Sequence, residues 1–457
     1  MKNKKEKVLI SNGQGFWGDS ILGPIRLLRE GPIDYLTLDY LAEVTMSIMQ
    51  KLKSRNPDAG YATDFIKLLE RILPEAQEKG VRIIASAGGV NAQACLEAAG
   101  AVVKKLGLSG VKIATVTGDD ILHRIDEMEG AGEKFKNMDT GASWSDVRSK
   151  ISSANVYLGA AGIVDALDQG ADIVICGRVT DPALVLGPMV HEFGWHFDDY
   201  DKLAAGTVAG HIVECGAQCT GANYTNWRKI ENFAMIGYPI IEMKADGEFC
   251  ITKHPGTGGE VSIESVTSQL MYEMGDPENY ITPDVVVDFT TVKLEEQGKD
   301  RVRVYGIRGK KATDFLKVSA SYANGYKAIG QLTIAGPDAL EKAKICADII
   351  WKRLAYENVF FSEANKMVEF LGAAVCHAGI AVEPATSDEI VLRVGVKDAD
   401  RAKVDRFAME IVPLVTSGPP GVTGFAGGRP KATEIVSYWP ALINKTRINH
   451  HVHVETF

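Results

Sequence analysis

Through residue 223, short apolar runs closed by glycine or an acid alternate with longer stretches of helical spacing. VLI at 8–10 opens into the loop SNGQGFWGDS, residues 21–30 carry apolar positions at helical intervals and stop at Gly31-Pro32, and IDYLTLD at 33–39 reads as a second strand. Helical spacing over 64–79 ends at Gly80. It is followed by VRIIASAGG (81–89), a helix over 91–107, VKIATVTGDD (111–120), NVYLGAAGI (155–163) and ADIVICGRVTD (171–181). Runs this short, rich in Val, Ile and Ala and separated by helices, predict strands buried on both faces. The expected fold of the N-terminal half is therefore α/β, a doubly wound, mostly parallel sheet. The polar stretch 131–147, with Trp144 as its bulky anchor, reads as a lid or an interface loop. Residues 195–220 read as a helix dense in small residues.

From residue 224 the texture changes to alternating, turn-punctuated runs, which predict an antiparallel, partly solvated sheet. A helix over 337–357, a strand over 389–398, a helix over 398–415 and a glycine-rich loop over 416–430 follow. HHVHVETF at 450–457 alternates like an edge strand. Two domains are expected: 1–223, doubly wound α/β, and 224–457, α+β with an antiparallel sheet.

Composition narrows the classes of function. A formal charge of -9 over 457 residues gives no basic field for a phosphate backbone, so nucleic acid is not an expected partner. Seven dispersed cysteines, an odd number with no C-x-x-C pair, indicate a reducing compartment rather than a disulfide framework or zinc knuckle. No apolar run approaches the roughly 18 residues of a membrane span, and VLI behind the lysine-rich start is too short for a signal peptide. The expected location is the cytoplasm, away from membranes.

Candidate chemistry gathers at the predicted strand ends, where open α/β sheets place their ligands. Gly13-x-Gly15-x-x-Gly18, with Asp39 about 20 residues further on, spells a dinucleotide fingerprint. Phe16 and Trp17 crowd the place a pyrophosphate needs, and Asp19 would repel it, which argues against NAD. The glycines then make a tight turn or cradle another ligand. Asp19, Asp39, Glu43, Asp119, Asp120 and Asp181 all fall just beyond strand ends. Clustered carboxylates serve as general acid or base, or hold a hard cation such as Mg²⁺, with Asp119 and Asp181 as the metal candidates; the alternative is that they cap helices and turns. Asn91 lies at a third glycine turn. Arg178 could clamp a carboxylate or phosphate, or pair with Asp181. His211, Cys215 and Cys219 share one face of the predicted helix beside Glu214, so Glu214 or Cys215 is a candidate for a direct role and Cys219 for packing. HPGTGG at 254–259 reads as a glycine turn able to cover the crevice, and His451 and His453 as a solvated strand face rather than a metal pair.

NGQGFWGD, DYLAEVTM, GADIVICGRVTDPALVLGP, HIVECGAQCTGANYTNW, HPGTGGEVS and QLMYEMGDPENYITPDV, in this order, resemble the acyclic terpene utilisation protein AtuA family over nearly the whole chain. The resemblance implies catabolism of branched acyclic terpenoids through CoA thioesters. It also implies that longer members carry a small C-terminal ferredoxin-like domain, which a separate small ferredoxin-like-fold subunit would replace here; a homo-oligomer is expected as well. The resulting expectation is a cytosolic enzyme of branched-chain or terpenoid acyl-CoA or organic-acid catabolism, working by acid–base chemistry next to a carbonyl in the manner of a hydratase or lyase. Asp19, Asp39 or Glu43 would move the proton while the 13–18 turn stabilises the enolate. The alternatives are an NAD(P)-dependent oxidoreductase on the same turn and a non-catalytic subunit of an acyl-CoA-metabolising complex.

Overall fold

The computed structural model describes residues 5–41, 43–377, 387–424 and 427–457, and for Glu43 and Val44 the backbone only. In chain order the first elements are β1 (Lys7–Gln14), α1 (Leu22–Glu30), β2 (Tyr35–Leu38), α2 (Glu43–Arg55), α3 (Thr63–Lys79), β3 (Arg82–Ala85) and α4 (Ala92–Lys105). Then come β4 (Lys112–Thr117), α5 (Ile125–Gly130), β5 (Ile151–Val156), α6 (Ala161–Asp168), β6 (Ile173–Cys176), α7 (Ala183–Phe193) and α8 (Tyr200–Val213). The helical periodicity converts directly into packing in α3. Phe65, Leu68, Leu69, Ile72, Leu73 and Ala76 are all buried, each contributing about 1–3 kcal/mol by leaving water. Gly80 ends the helix in the left-handed region at φ 67, and the Val81 amide donates to Ala76 O at 2.9 Å in a glycine C-cap.

The chain continues with β7 (Ile240–Lys244), β8 (Phe249–Thr252), α9 (Ile263–Leu270), β9 (Tyr280–Ile281), β10 (Val285–Asp288), β11 (Lys293–Glu296), β12 (Arg301–Tyr305) and β13 (Arg308–Lys311). The last elements are β14 (Phe315–Ala335), α10 (Ala339–Tyr356), β15 (Lys366–Leu371), β16 (Glu389–Asp398), α11 (Arg401–Ala408), α12 (Leu414–Ser417), β17 (Val422–Thr423), β18 (Thr433–Asn444) and β19 (His451–Thr456).

The main sheet has ten strands in the order β11-β12-β8-β7-β1-β2-β3-β6-β4-β19. Its centre, β1-β2-β3-β6-β4, is parallel. β7 joins β1 antiparallel and β19 joins β4 antiparallel. The sheet is thus mixed, and the expectation of a doubly wound parallel sheet reduces to a mixed α/β fold. β7 pairs with β1, so residues on both sides of the expected 223/224 boundary share this one sheet. Two further strand assignments differ from the sequence reading. Of the run expected at 155–163, only 155 and 156 are strand, the end of β5, which lies outside the main sheet and pairs with β14, while 161–163 already belong to α6. Residues 43–55, not singled out by their spacing, form α2.

Helices cover both faces of the parallel centre. Leu36 and Leu38 of β2 enter the core formed with α1, α3 and α4. The neighbouring Tyr35 points the other way and donates its hydroxyl to Glu192 Oε1 on α7 at 2.6 Å. Trp144, the anchor of the stretch expected to be a lid or an interface loop, is buried, its ring 5.1 Å from Phe135 and 6.1 Å from Trp439.

The chain divides into two compact units, Met1–Ser321 with Tyr438–Phe457, and Tyr322–Ser437. The second is built from β14 beyond residue 321, α10, β15, β16, α11 and β18 up to residue 437, with β15, β16 and β14 antiparallel in that order and β18 on β14. This is the split β-α-β order called ferredoxin-like. Its core joins one sheet face, Ala328, Leu332, Ile334, Ile390, Leu392 and Val394, to α10 and α11. No helix among the described residues is long and apolar enough to cross a membrane.

Candidate functional site

The parallel strands end together, and there the first unit buries polar groups. β1 reaches this edge through a register shift between Asn12 and Gln14. A Cβ at Gly13 would come within 2.9 Å of Pro24 Cβ, and one at Gly15 within 3.0 Å of the Glu214 carbonyl oxygen. Both glycines therefore admit neighbouring chain, α1 in one case and the segment after α8 in the other. Asn12 fixes that second contact: its Nδ2 donates to Glu214 O at 2.7 Å and to Val213 O at 3.1 Å.

Asp19 turns back on its own loop. Its Oδ2 accepts the Gly15 amide at 2.9 Å and its Oδ1 the Ser20 amide at 2.6 Å. One backbone donor expected to face a ligand is thus occupied by the acid expected beside it. Gly18 supplies the positive φ, 99°, that closes the turn. Asn91 also bonds locally, donating to Pro57 O and Ala59 O at 2.8 Å each. Glu43 begins α2, and its side chain lies outside the described residues.

Asp39, Arg178, Glu214 and Cys215 come together electrostatically through Asp181, and Asp119 joins them through the Arg178 amide. Asp39, just after β2, is buried and accepts from Ser86 Oγ at 2.8 Å. Burial, then the charge of Asp181, holds its pKa well above the carboxylate range against the pull of Arg178. Asp119, just after β4, accepts at Oδ2 from Asn155 Nδ2 and from the Arg178 amide, both at 2.9 Å. Burial pushes it up to about 6.

Arg178 follows β6 and is only 2% exposed. Its Nη1 donates to Asp181 Oδ1 at 2.7 Å and its guanidinium lies 4.2 Å from the Tyr157 ring centre. Its Nε, also buried, has no hydrogen-bond partner among the described residues. Asp181 is the open member of the cluster, its side chain 36% exposed. Its charge acts on Asp39, Arg178, Glu214, Cys215 and Tyr280 alike.

Glu214 is the C-cap of α8. The helix ends there and Gly216 turns the chain at φ 58, so Cys219 does not continue the helical face expected to join it to His211. His211 Nδ1 lies 3.3 Å from Glu214 Oε1, at ion-pair distance but off the line of a full hydrogen bond. Burial pushes Glu214 up to about 7, against the opposing pull of His211. Burial pulls His211 down, but Glu214 outweighs it and its pKa ends raised. Edges of Tyr280 and Phe289 close around the imidazole at 5.5 and 5.2 Å. Burial and the Glu214 charge push the Cys215 thiol up to about 12, which keeps it protonated at neutral pH.

A cavity of about 280 Å³ opens beside Asp119, lined also by Gly89, Val90, Asp120, His123 and His451. A cleft of about 920 Å³ lies against the 254–259 turn and strands β7, β8 and β12, and none of the six clustered residues lines it. There His254 Nε2 meets Leu27 O at 3.0 Å. The expected cover of the crevice thus borders a different hollow. His453 pairs with Glu455 at 3.0 Å on β19, an edge of the sheet.

Sequence spacing passed over Ser86, Asn155, Tyr157 and Tyr280. Ser86 and Asn155 are polar residues inside apolar strand-end runs, which is a signal; nothing in the spacing marks the two tyrosines. Among the described residues no three His, Cys, Asp or Glu side chains are grouped to hold a metal ion. A family model described as acyclic terpene utilisation family protein AtuA matches residues 8–454. No curated protein and no solved structure matches the chain.

Proposed function

The chain belongs to the AtuA family of acyclic terpene utilisation proteins, and on that premise we propose that it is an enzyme of branched or terpenoid acyl catabolism that works by proton transfer next to a carbonyl, as a hydratase or lyase does. The observation that carries this reading is Glu214, pushed up to about 7 and 3.3 Å from His211 at the strand-end edge. A carboxyl poised near neutral pH is suited to act as base and acid in one cycle.

In this reading the Glu214 carboxylate takes the proton from the carbon next to the carbonyl, and the Arg178 guanidinium meets the charge that develops on oxygen. Asp39, its pKa raised by burial, supplies the proton to a departing hydroxyl, which leaves as water. Cys215 stays a thiol and shapes the wall, in place of the nucleophilic role considered for it. The substrate is a branched acyl group, carried as a CoA thioester.

The test is exchange in D₂O of the proton next to the carbonyl in branched 3-hydroxyacyl and 2-enoyl CoA thioesters and in the free acids, followed by mass spectrometry. Incorporation by the native chain and its loss in Glu214→Gln, with folding retained by circular dichroism, is expected. Equal exchange in the variant would move the chemistry elsewhere, and no exchange or hydration with any member of the series would sink the reading.

A further inference from the structure

The second unit buries one face of its sheet under α10 and α11, while the opposite face carries an apolar row. Ile329 on β14, Gly395 on β16 and Met367 on β15 stand opposite one another in register. Ile435 of β18 joins the same groove, which has a volume of about 320 Å³. Ile329 is 46% exposed. Gly395 makes the hollow: a Cβ there would sit 3.1 Å from Met367 Cε and 3.2 Å from Ile329 Cγ1.

One side of the groove is cationic. Lys327 and Lys397 are directly opposed across the β14–β16 ladder, and both line the groove with Lys366. Lys366 is paired with Glu363 at 2.6 Å. Among the described residues no ion pair engages Lys327 or Lys397. Like charges in cross-strand register repel, and here they stand beside the middle of an apolar row. A second copy of this chain laid face to face would add to that repulsion. An anionic head with an aliphatic tail removes it and covers the apolar row.

We propose that this face is a binding site for a monomeric aliphatic carboxylate, its carboxylate between Lys327 and Lys397 and its chain turning along the apolar row from Ile329 over Gly395 to Met367. The site is separate from the strand-end cluster and independent of the reaction assigned there.

The test uses the full chain and a decanoic acid bearing a diazirine near its tail, photolysed and mapped by peptide mass spectrometry, with calorimetric titration of plain decanoate alongside. Label on residues 327–331, 366–367, 395–397 or 435 is expected. So is a loss of roughly tenfold or more in labelling affinity in Lys327→Glu/Lys397→Glu and in Gly395→Leu. Glu214→Gln should label as the native chain does. Decyltrimethylammonium, with the charge reversed, should not compete. The charge-reversal variant decides the matter if Gly395→Leu fails to fold. The proposal is overturned by label confined to other peptides, by equal competition from the cationic probe, by labelling unchanged in both variants, or by binding that appears only with anionic phospholipid vesicles.

Discussion

His211 Nδ1 lies 3.3 Å from Glu214 Oε1, three residues apart across the end of α8, with His211 buried and the Glu214 side chain 11% exposed. Neither group is at its ordinary pKa: burial would neutralise both, His211 only partly offsets it at Glu214, and at His211 the opposing groups, led by Glu214, more than offset it. The pair shares a proton economy that one of them alone would lack.

If Glu214 is the base, kcat/KM rises about tenfold per pH unit below neutrality and levels above about 7. Glu214→Gln should remove that limb and lower the rate by about 10²–10⁴. His211 opposes the upward push on Glu214, so His211→Asn should move the limb to higher pH rather than erase it. A pH–rate profile of the three proteins reads both effects.

Gly15→Ala places a Cβ against the backbone of Glu214 and Cys215 and is expected to cost roughly 1–3 kcal/mol. It should also displace the pH limb, because the strained contact is with the site. Gly18→Ala meets open space but forces alanine to φ 99, costing about 1–2 kcal/mol with the limb in place. Urea unfolding and pH–rate profiles of the two variants separate the effects.

Folding stability should fall as pH rises from about 5 to 7. Glu214 is pushed up to about 7, and Asp119 and Asp284 to about 6, by burial. Each raised carboxyl binds its proton more tightly in the folded chain, so its contribution is complete below its unfolded pKa and is lost as pH passes its folded one. His254, lowered by burial, acts in the opposite sense but is one group against three. Asp119→Asn should remove a share of roughly 2 kcal/mol from the slope between pH 4.5 and 7.5, read as the change in urea midpoint.

Iodoacetamide at pH 8 should label Cys376 first. That thiol is exposed, whereas Cys215 is pushed up to about 12. Peptide mapping after brief exposure checks this, and rapid modification of Cys215 would restore a thiolate role for it.

Strand ends were legible from the alternation of apolar runs and glycine or acid stops, so Asp39, Asp119 and Arg178 could be placed at one edge before any coordinates. The glycine spacing of 13–18 misdirected in part. Gly13 and Gly15 are small because α1 and the Glu214 backbone press on them, and Asp19 occupies the Gly15 amide. Periodicity reports how a residue alternates along its own strand or helix, not what presses on it from a distant segment.

The sequence by itself determined the strand–helix alternation of the first half, the change to antiparallel texture beyond it and the family, because local propensity and long ordered motifs are written residue by residue. The tertiary structure decided which of the acids meet. The pairing of β7 with β1 and the Asn12 bonds to residues 213 and 214 bring a segment some 200 positions away against the first strand. Burial at that junction then shifts Glu214. Desolvation depends on every neighbour at once, so no single stretch of sequence carries it.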